Sequence, residues 1–176
     1  YKVIFKSATP NEPVKLIGYS DSSWGNDVSD GKSLSGYMYF LGDNLICWSS
    51  KKQDCVAVSS CEAEYMGLFA ASTEAIWLRR LLESSTMPQQ CPTILFTDNQ
   101  SSHKLAMSRK LRGRSKHINI KFHFIRDIVD DGTIDLRWIS TQDMLADIFT
   151  KPLPGPKFHA VLQKIKDFRL RGNVVD

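Results

Sequence analysis

TILFTD, residues 93–98, is a short and continuously apolar run that ends on a carboxylate. An apolar run of this length is typical of a strand that is buried on both faces of a sheet. The stretch VKLIGYSD, residues 14–21, also reads as a strand that ends on an aspartate. The two stretches therefore predict two strands whose ends carry Asp21 and Asp98.

Two further strands and the longest helix are predicted between these runs. SGYMYF (35–40) and LICWSS (45–50) read as strands, and the four residues that separate them suit a hairpin. From Ser59 to about Glu83 the chain is rich in Ala, Leu, Met and Glu and has Gly67 as its only glycine, which favours a helix. The first three strands therefore form an antiparallel meander that leads into a helix.

After residue 98 the pattern changes to alternating helices and strands. Helices are expected over 99–108, about 117–130 and 141–150, with a strand over 133–139 and an amphipathic tail over 157–168. A meander followed by β-α-β units predicts an α/β fold: a mixed five-stranded sheet, with the first three strands antiparallel, the later ones parallel, and helices on both faces.

Composition narrows the class of protein. The chain has 176 residues, 42% of them hydrophobic, which suits one core, and its formal charge of +4 is too mild to indicate a nucleic-acid partner by itself. Its four cysteines form no CxxC pair and are interpreted as reduced thiols of a cytosolic or nuclear protein. No apolar run approaches the ~20 residues that cross a bilayer, so no membrane partner is expected.

Four acids lie where chemistry would need them: Asp21 and Asp98 at predicted strand ends, Glu64 in the long helix and Asp147 in the short one. Carboxylates brought together repel one another unless a cation neutralises them, and Mg²⁺ prefers oxygen ligands. Two such ions about 4 Å apart can activate a water and stabilise the leaving oxygen of a phosphodiester. The pattern therefore predicts a two-metal site, with a solvated surface charge as the alternative for each single acid.

Only one of Glu62 and Glu64 can face the sheet, because two helical steps place them about 200° apart. Ser59 followed by Glu62 fits a capping box, in which the Glu side chain returns to the Ser59 amide. This leaves Glu64 for the site. Ser140 and Asp143 similarly resemble a cap for the helix that carries Asp147, although residues 143 and 147 share a face.

Seven segments resemble the ribonuclease H region of copia-type retrotransposon polyproteins, in the same order and at similar spacing over about residues 14–160. They are YSDSSWGND (19–27), KSLSGYMYFLG (32–42), WSSKKQ (48–53), SSCEAEYMGL (59–68), TDNQSS (97–102), KHINIKFHFIRD (116–127) and LADIFTKPLP (145–154). The resemblance implies a ribonuclease H-like fold and assigns the metal site to the same four acids. It also implies two Mg²⁺ ions as the cofactor, which Mn²⁺ could replace.

The resemblance also implies partners and domain limits. The substrate would be an RNA–DNA hybrid and the neighbouring domain a reverse transcriptase, with residues 1–13 as the tail of the connection from it, 14–155 as the ribonuclease H domain and 156–176 as a C-terminal helical tail. The expected location is the cytoplasm, in a virus-like particle, with the nucleus as the alternative. Many ribonucleases H have a histidine before the last aspartate, whereas residues 133–146 contain none. His117 and His123 are candidate substitutes, with packing or surface roles as the alternative.

Residues 109–126 contain seven basic side chains and no acid. Such a run can neutralise phosphates of a duplex, and its alternative is a solvated face that balances the acidic site. Ser22, Asn99 and Gln100 adjoin the acids and are candidates for contact with the 2′-hydroxyls of RNA. Trp24 and Trp48 are interpreted as core residues, with stacking on sugars or bases as the alternative. The predicted nucleic-acid contacts are Ser22, Asn99, Gln100, Arg112, Arg114, Lys116 and His117.

Three functions compete. The first is hydrolysis of the RNA strand of RNA–DNA hybrids, and the second is a catalytically silent module that tethers the polymerase to its template. The third is an integrase-like transferase, whose three acids end with a Glu, whereas this chain has its Glu second. The order of the acids excludes the third.

Overall fold

Five strands, four α-helices and one 3-10 helix form along the part of the chain that the computed structural model describes, residues 5–6, 14–108 and 116–168. Of residues 116–119 only the helical backbone is described. The elements in chain order are β1 Leu16–Ser23, β2 Leu34–Leu41, β3 Asn44–Lys52, α1 Ser60–Ser84, β4 Thr93–Thr97, α2 Gln100–Ala106, α3 Lys116–Asp130, β5 Ile134–Trp138, the 3-10 helix Leu145–Phe149 and α4 Gly155–Lys166.

The strands form one sheet in the order β3-β2-β1-β4-β5. β1 pairs antiparallel with β2 and parallel with β4, β2 pairs antiparallel with β3, and β4 pairs parallel with β5. The predicted mixed sheet is thus confirmed. β1 continues to Ser23, however, so Asp21 lies within the strand and not at its end. The prediction missed this because Ser22 and Ser23 are polar, whereas in the fold both are buried.

Apolar side chains cover both faces of the sheet, as predicted. One core packs α1, α2 and α3 against the sheet through residues such as Tyr39, Leu68, Leu95, Phe122 and Ile125. A second core, on the opposite face, joins the sheet to the 3-10 helix and α4 through residues such as Ile17, Phe40, Met144, Leu145 and Val161. The interpretation of two tryptophans as core residues is wrong, since Trp24 and Trp48 are 55% and 51% exposed.

The segment before Asp147 differs from the predicted helix. Residues 141–143 form a turn, and helical structure begins only at Leu145 and is of the 3-10 type. Ser140 accepts hydrogen bonds from the Gln142 and Asp143 amides within this turn, so Ser140 and Asp143 do not cap the helix. Burial of Met144 and Leu145 in the second core determines where the 3-10 helix begins. Capping patterns in the sequence do not indicate this burial.

The N-terminal and C-terminal segments meet at one edge of the second core. Lys6 Nζ donates to the Lys166 and Phe168 carbonyl oxygens, at 2.6 and 3.0 Å, and Asn44 bonds the Lys6 backbone. The Phe168 ring stacks on Phe40, with 3.9 Å between ring centroids. α4 therefore packs with the sheet, while the division of the chain at 13 and 155 stays a prediction. Among the described residues no helix has the length and apolar character needed to cross a bilayer.

Candidate metal centre

Three of the four predicted acids converge. Asp21, Glu64 and Asp98, which we call the acidic trio, each place one carboxylate oxygen within 4.8 Å of the others. Asp98 follows β4 directly and Asp21 lies in β1, and these strands are parallel neighbours in which Ser20 pairs with Thr97. The pairing therefore brings the residues that follow Ser20 and Thr97 side by side.

Glu64 reaches this edge because α1 lies very close to β1. Gly67 is one turn beyond Glu64, and a Cβ atom at that position would overlap the Ser22 hydroxyl and lie 3.3 Å from the Asp21 carbonyl oxygen. Any side chain at Gly67 would therefore press the helix away from the strand. The single glycine of α1 is required by this close approach and not by helix formation.

Glu62 caps α1, as predicted, and leaves Glu64 for the site. The Glu62 amide donates to Ser59 Oγ at 3.2 Å. The Glu62 carboxylate accepts from the Val58 amide at 2.9 Å, whereas the predicted capping box used the Ser59 amide. The capping role of Glu62 is thus confirmed, with its carboxylate bond corrected by one residue. The assignment of Glu64 to the site stays a prediction.

Glu64 is held in an environment that disfavours its charge. The residue is only 8% exposed, and its Oε2 atom has no hydrogen-bond partner among the described residues. Burial raises the pKa of Glu64 well above its usual range, and the neighbouring Asp21 and Asp98 raise it further. A buried oxygen without a donor, next to two other carboxylates, is suited to a cation.

Asp147 lies outside the trio and is linked to it through a lysine. Its Oδ1 atom is 2.6 Å from Lys151 Nζ, and its Oδ2 atom is 2.8 Å from Lys157 Nζ. Lys151 Nζ is also 3.1 Å from Asp21 Oδ1, while the Thr150 hydroxyl donates to Asp21 Oδ2. Lys151 therefore bridges two buried carboxylates that come from β1 and from the 3-10 helix.

The pKa values of Asp21 and Lys151 reflect opposing effects of burial and of neighbouring charges. Burial raises the pKa of Asp21, although Lys151 and Thr150 act in the opposite direction. Burial acts to lower the pKa of Lys151, but Asp21 and Asp147 together hold that pKa above its ordinary value. The lysine is therefore a full positive charge at neutral pH.

The donor set fits a hard divalent cation. All the trio ligands are carboxylate oxygens, and the Glu64 Oε2 atom is otherwise unpartnered within the described part of the chain. Asp147 would join such a site through an oxygen that now contacts Lys151. The four predicted acids thus lie as a trio and a fourth acid that Lys151 links to Asp21.

The predicted nucleic-acid contacts fall into three groups. Ser22 is only 4% exposed and its hydroxyl lies 3.4 Å from Ser35 Oγ, so its side chain does not face a substrate and this expected contact is corrected. Asn99 caps α2 by accepting from the Ser102 amide at 2.9 Å, and Gln100 is exposed. The remaining four lie outside the described residues, wholly or in their side chains: Arg112, Arg114, Lys116 and His117.

His123, a candidate substitute for the histidine that many ribonucleases H have before the last aspartate, lies among the described residues. Arg126 Nη2 donates to its Nδ1 atom at 2.8 Å, and this contact is exposed on α3. The ring therefore has a surface partner, in agreement with the surface alternative.

Three residues of the site were not predicted as such. Thr150 and Lys151 hold Asp21, and Trp138 Nε1 donates to the Asp98 carbonyl oxygen at 3.0 Å, which fixes the turn after β4. Only Lys151 could have been found from the sequence. It follows Asp147 by four residues, and residues at this spacing share a helix face, so a contact between the two could have been expected.

No protein-family model matches the chain. It is similar in sequence to Pol polyproteins of plant transposons. The chain is 36% identical over 148 residues to the retrovirus-related Pol polyprotein from transposon TNT 1-94 of Nicotiana tabacum, covering 84% of this chain and 11% of that protein. It is 38% identical over 152 residues to the one from transposon RE2 of Arabidopsis thaliana, covering 86% and 10%. The chain thus spans about a tenth of the length of these curated relatives.

Solved structures resemble the fold. The N-terminal RNase H domain of a Mycobacterium tuberculosis protein matches with a TM-score of 0.56 and 15% identity, covering 86% of this chain and 98% of that chain. LC11-RNase H1 in complex with an RNA/DNA hybrid matches with a TM-score of 0.55 and 17% identity, covering 77% and 94%. Prototype foamy virus protease-reverse transcriptase matches with a TM-score of 0.53 and 12% identity, covering 79% and 19%.

The sheet order, the helices on both faces and these structural matches define a protein of the ribonuclease H fold. The sequence relatives make the assignment narrower. The chain is homologous to a segment of copia-type retrotransposon Pol polyproteins, and this segment has the ribonuclease H fold.

Proposed function

We propose that the domain hydrolyses the RNA strand of RNA–DNA hybrids during reverse transcription of a retrotransposon, in a reaction that requires a divalent metal. The observation that carries the proposal is the acidic trio, in which Glu64 Oε2 is buried without a donor among the described residues. Similarity to the Pol polyproteins gives this chemistry a biological setting, because retrotransposons are copied from RNA into DNA.

Mg²⁺ is the proposed cofactor, as two ions, with Mn²⁺ as a substitute. The trio would hold one ion, and Asp147 together with Asp21 would hold the other. When bound, the metal supplies Lewis acidity for activation of a water and for stabilisation of the leaving oxygen. The chain contributes by holding the carboxylates: Thr150 orients Asp21, Trp138 fixes the backbone at Asp98, and the close approach of α1 delivers Glu64.

An RNA–DNA hybrid is the proposed substrate, and one structural neighbour, LC11-RNase H1, is in complex with such a hybrid. Gln100, exposed at the start of α2, is suitably placed in sequence to contact the RNA strand beside Asp98. Arg112, Arg114, Lys116 and His117 would contact phosphates, with a binding constant that falls as salt rises.

The reverse transcriptase domain of the same polyprotein is the proposed partner. One neighbour combines protease and reverse transcriptase, and the sequence relatives are long Pol polyproteins. On this proposal residues 1–13 lead from the polymerase, 14–155 form the nuclease and 156–176 the helical tail. The proposed location is a cytoplasmic virus-like particle, with the nucleus as the alternative.

Cleavage of a hybrid with differently labelled strands tests the proposal. With Mg²⁺ the purified domain is expected to cut the RNA strand, to leave 3′-hydroxyl and 5′-phosphate ends, and to be inactive in EDTA. Asp98→Asn is expected to bind the hybrid without cutting it. A folded wild-type domain that binds the hybrid but cuts neither strand, alone or joined to its polymerase, would instead support the tethering function.

A further inference from the structure

Lys151 occupies a position between two carboxylates that belong to different elements. Its Nζ atom is 3.1 Å from Asp21 Oδ1 in β1 and 2.6 Å from Asp147 Oδ1 in the 3-10 helix. The side chains of Asp21 and Asp147 are 0% and 1% exposed, whereas that of Lys151 is 33% exposed. A charged group that enters from the surface thus neutralises two acids that water does not reach.

The acids of the site therefore fall into two sets that share Asp21. The acidic trio contains an oxygen, Glu64 Oε2, without a hydrogen-bond donor in the described part of the chain. The Asp21–Asp147 pair, by contrast, has a cation of its own. Two buried carboxylates without a neutralising charge would be strongly destabilising, which explains why a lysine is held between them.

The Lys151 side chain can also move away from the two carboxylates into solvent. The lysine side chain is a flexible four-carbon stem, and a third of this one already faces solvent. Withdrawal of the ammonium into water restores its hydration and needs no change in the sheet. Lys157 approaches Asp147 from the other side, at Oδ2, and touches no other acid at this site in the described residues.

We propose that Lys151 is a resident counter-cation of the Asp21–Asp147 pair, which a divalent ion must displace, so that the domain binds its two metal ions in sequence. The trio binds first, because among the described residues no ammonium contacts Glu64 or Asp98, and Lys151 contacts only Asp21 of the trio. The pair binds second, after Lys151 withdraws. This inference rests on the proposed metal site and adds to it an order of occupancy that is set by a residue of the chain.

Mn²⁺ binding in the absence of nucleic acid tests the proposal independently of activity. Free Mn²⁺ is counted by electron paramagnetic resonance for wild type and for Lys151→Met, which keeps the length of the side chain without its charge. Wild type is expected to bind one ion, with a second at least about tenfold weaker because it competes with the ammonium. In Lys151→Met the second ion is expected to bind at least about tenfold more tightly than in wild type.

Lys164→Met is the matched control, because Lys164 pairs with the exposed Asp143 and with the Gln142 carbonyl. It is expected to bind Mn²⁺ as wild type does. If Lys151→Met does not fold without metal, circular dichroism during a Mn²⁺ titration decides: refolding supports the proposal, and failure to refold overturns it.

Asp98→Asn separates this proposal from the proposed function. One set of results would overturn only the order of occupancy. In it, wild type binds Mn²⁺, Asp98→Asn binds the first ion more weakly, and Lys151→Met has the same isotherm as wild type. Two equally tight sites in wild type would likewise overturn the order of occupancy and leave the metal site standing. If wild type binds no Mn²⁺, the metal site itself fails and the inference fails with it.

Discussion

Gly36 lies directly opposite Asp21 in the antiparallel pairing of β1 and β2, and the space beside Gly36 is filled by the segment that holds Asp21 in place. A Cβ atom at Gly36 would lie 2.7 Å from Thr150 Cγ2 and 2.8 Å from Phe149 Cβ. The absent side chain therefore lets the end of the 3-10 helix rest against the sheet. This contact places Thr150 and Lys151 on the Asp21 carboxylate.

Gly36→Ala should consequently damage both stability and activity. The added methyl group meets Phe149 Cβ, which cannot move without the backbone, and overpacking of this kind typically costs about 1–3 kcal/mol of unfolding free energy. Cleavage should fall as well, since Asp147 and Thr150 move away from Asp21. Urea unfolding and kcat/KM measure the two effects. Gly155→Ala is the control, because a Cβ atom there meets nothing within 4 Å; equal behaviour of the two variants would show that the close approach is unimportant.

Thr150→Val tests the hydrogen bond to Asp21. Thr150 is 2% exposed and its hydroxyl donates to Asp21 Oδ2, so valine fills the space but leaves a buried carboxylate oxygen without this donor. The loss should lower the unfolding free energy by about 1–3 kcal/mol at neutral pH in EDTA. Thr150→Ser keeps the hydroxyl and should retain most of the stability. A valine variant as stable as the serine variant would mean that the bond contributes nothing.

Glu64 should make the metal-free domain less stable as pH rises. Because burial and the neighbouring acids raise the pKa of Glu64 in the folded state, the folded protein binds more protons than the unfolded chain above the ordinary value of 4.5. The free energy of unfolding then decreases with pH from about 4.5 up to the raised pKa. Glu64→Gln removes this titration.

Urea unfolding in EDTA between pH 4 and pH 8 measures the effect. Glu64→Gln should gain stability relative to wild type as pH rises, and the two should approach each other near pH 4. Asp21, whose pKa is also raised, is present in both proteins. Glu64→Gln removes its repulsion by the Glu64 carboxylate, which changes the comparison in the same direction. A wild type that is the more stable of the two at pH 8 in EDTA would contradict the account of Glu64.

Arg112 and Arg114, which lie outside the described residues, are proposed phosphate contacts. Replacing both with alanine should weaken hybrid binding and reduce the slope of log K against log salt by about 1 for each arginine that is replaced. Arg80→Ala is the control, because Arg80 is exposed on α1 some four turns beyond Glu64, about 24 Å along the helix. A slope that does not change in the double variant would assign the basic segment to a solvated face.

The sheet and the positions of Glu64 and Asp98 were predictable because their signals are local. The apolar run before Asp98 and the change from meander to β-α-β units determine the strand pattern, and the cap formed by Ser59 and Glu62 singles out Glu64. These features depend on neighbouring residues in the chain. Local reasoning is therefore sufficient for them.

The surroundings of Asp147 were not predictable in the same way. The 3-10 geometry depends on burial of Met144 and Leu145 against the opposite face of the sheet. The link from Lys151 to Asp21 joins residues 130 positions apart. Similarly, the burial of Ser22 depends on Ser35 and on the close approach of α1 at Gly67. Each of these contacts arises from tertiary packing.

Glu64→Gln and Glu62→Gln form the matched pair that tests the central claim most directly, since the two residues are neighbours on α1 with similar burial, 8% and 5% exposed. The measurement is the rate of RNA-strand cleavage in an RNA–DNA hybrid with Mg²⁺. Glu64→Gln should lose more than about a hundredfold, beyond the 10–100-fold that groups supporting a metal ligand typically contribute. Glu62→Gln keeps an oxygen that accepts from the Val58 amide and should remain close to wild type. Equal rates in the two variants would contradict the assignment of Glu64 to a metal-dependent ribonuclease site.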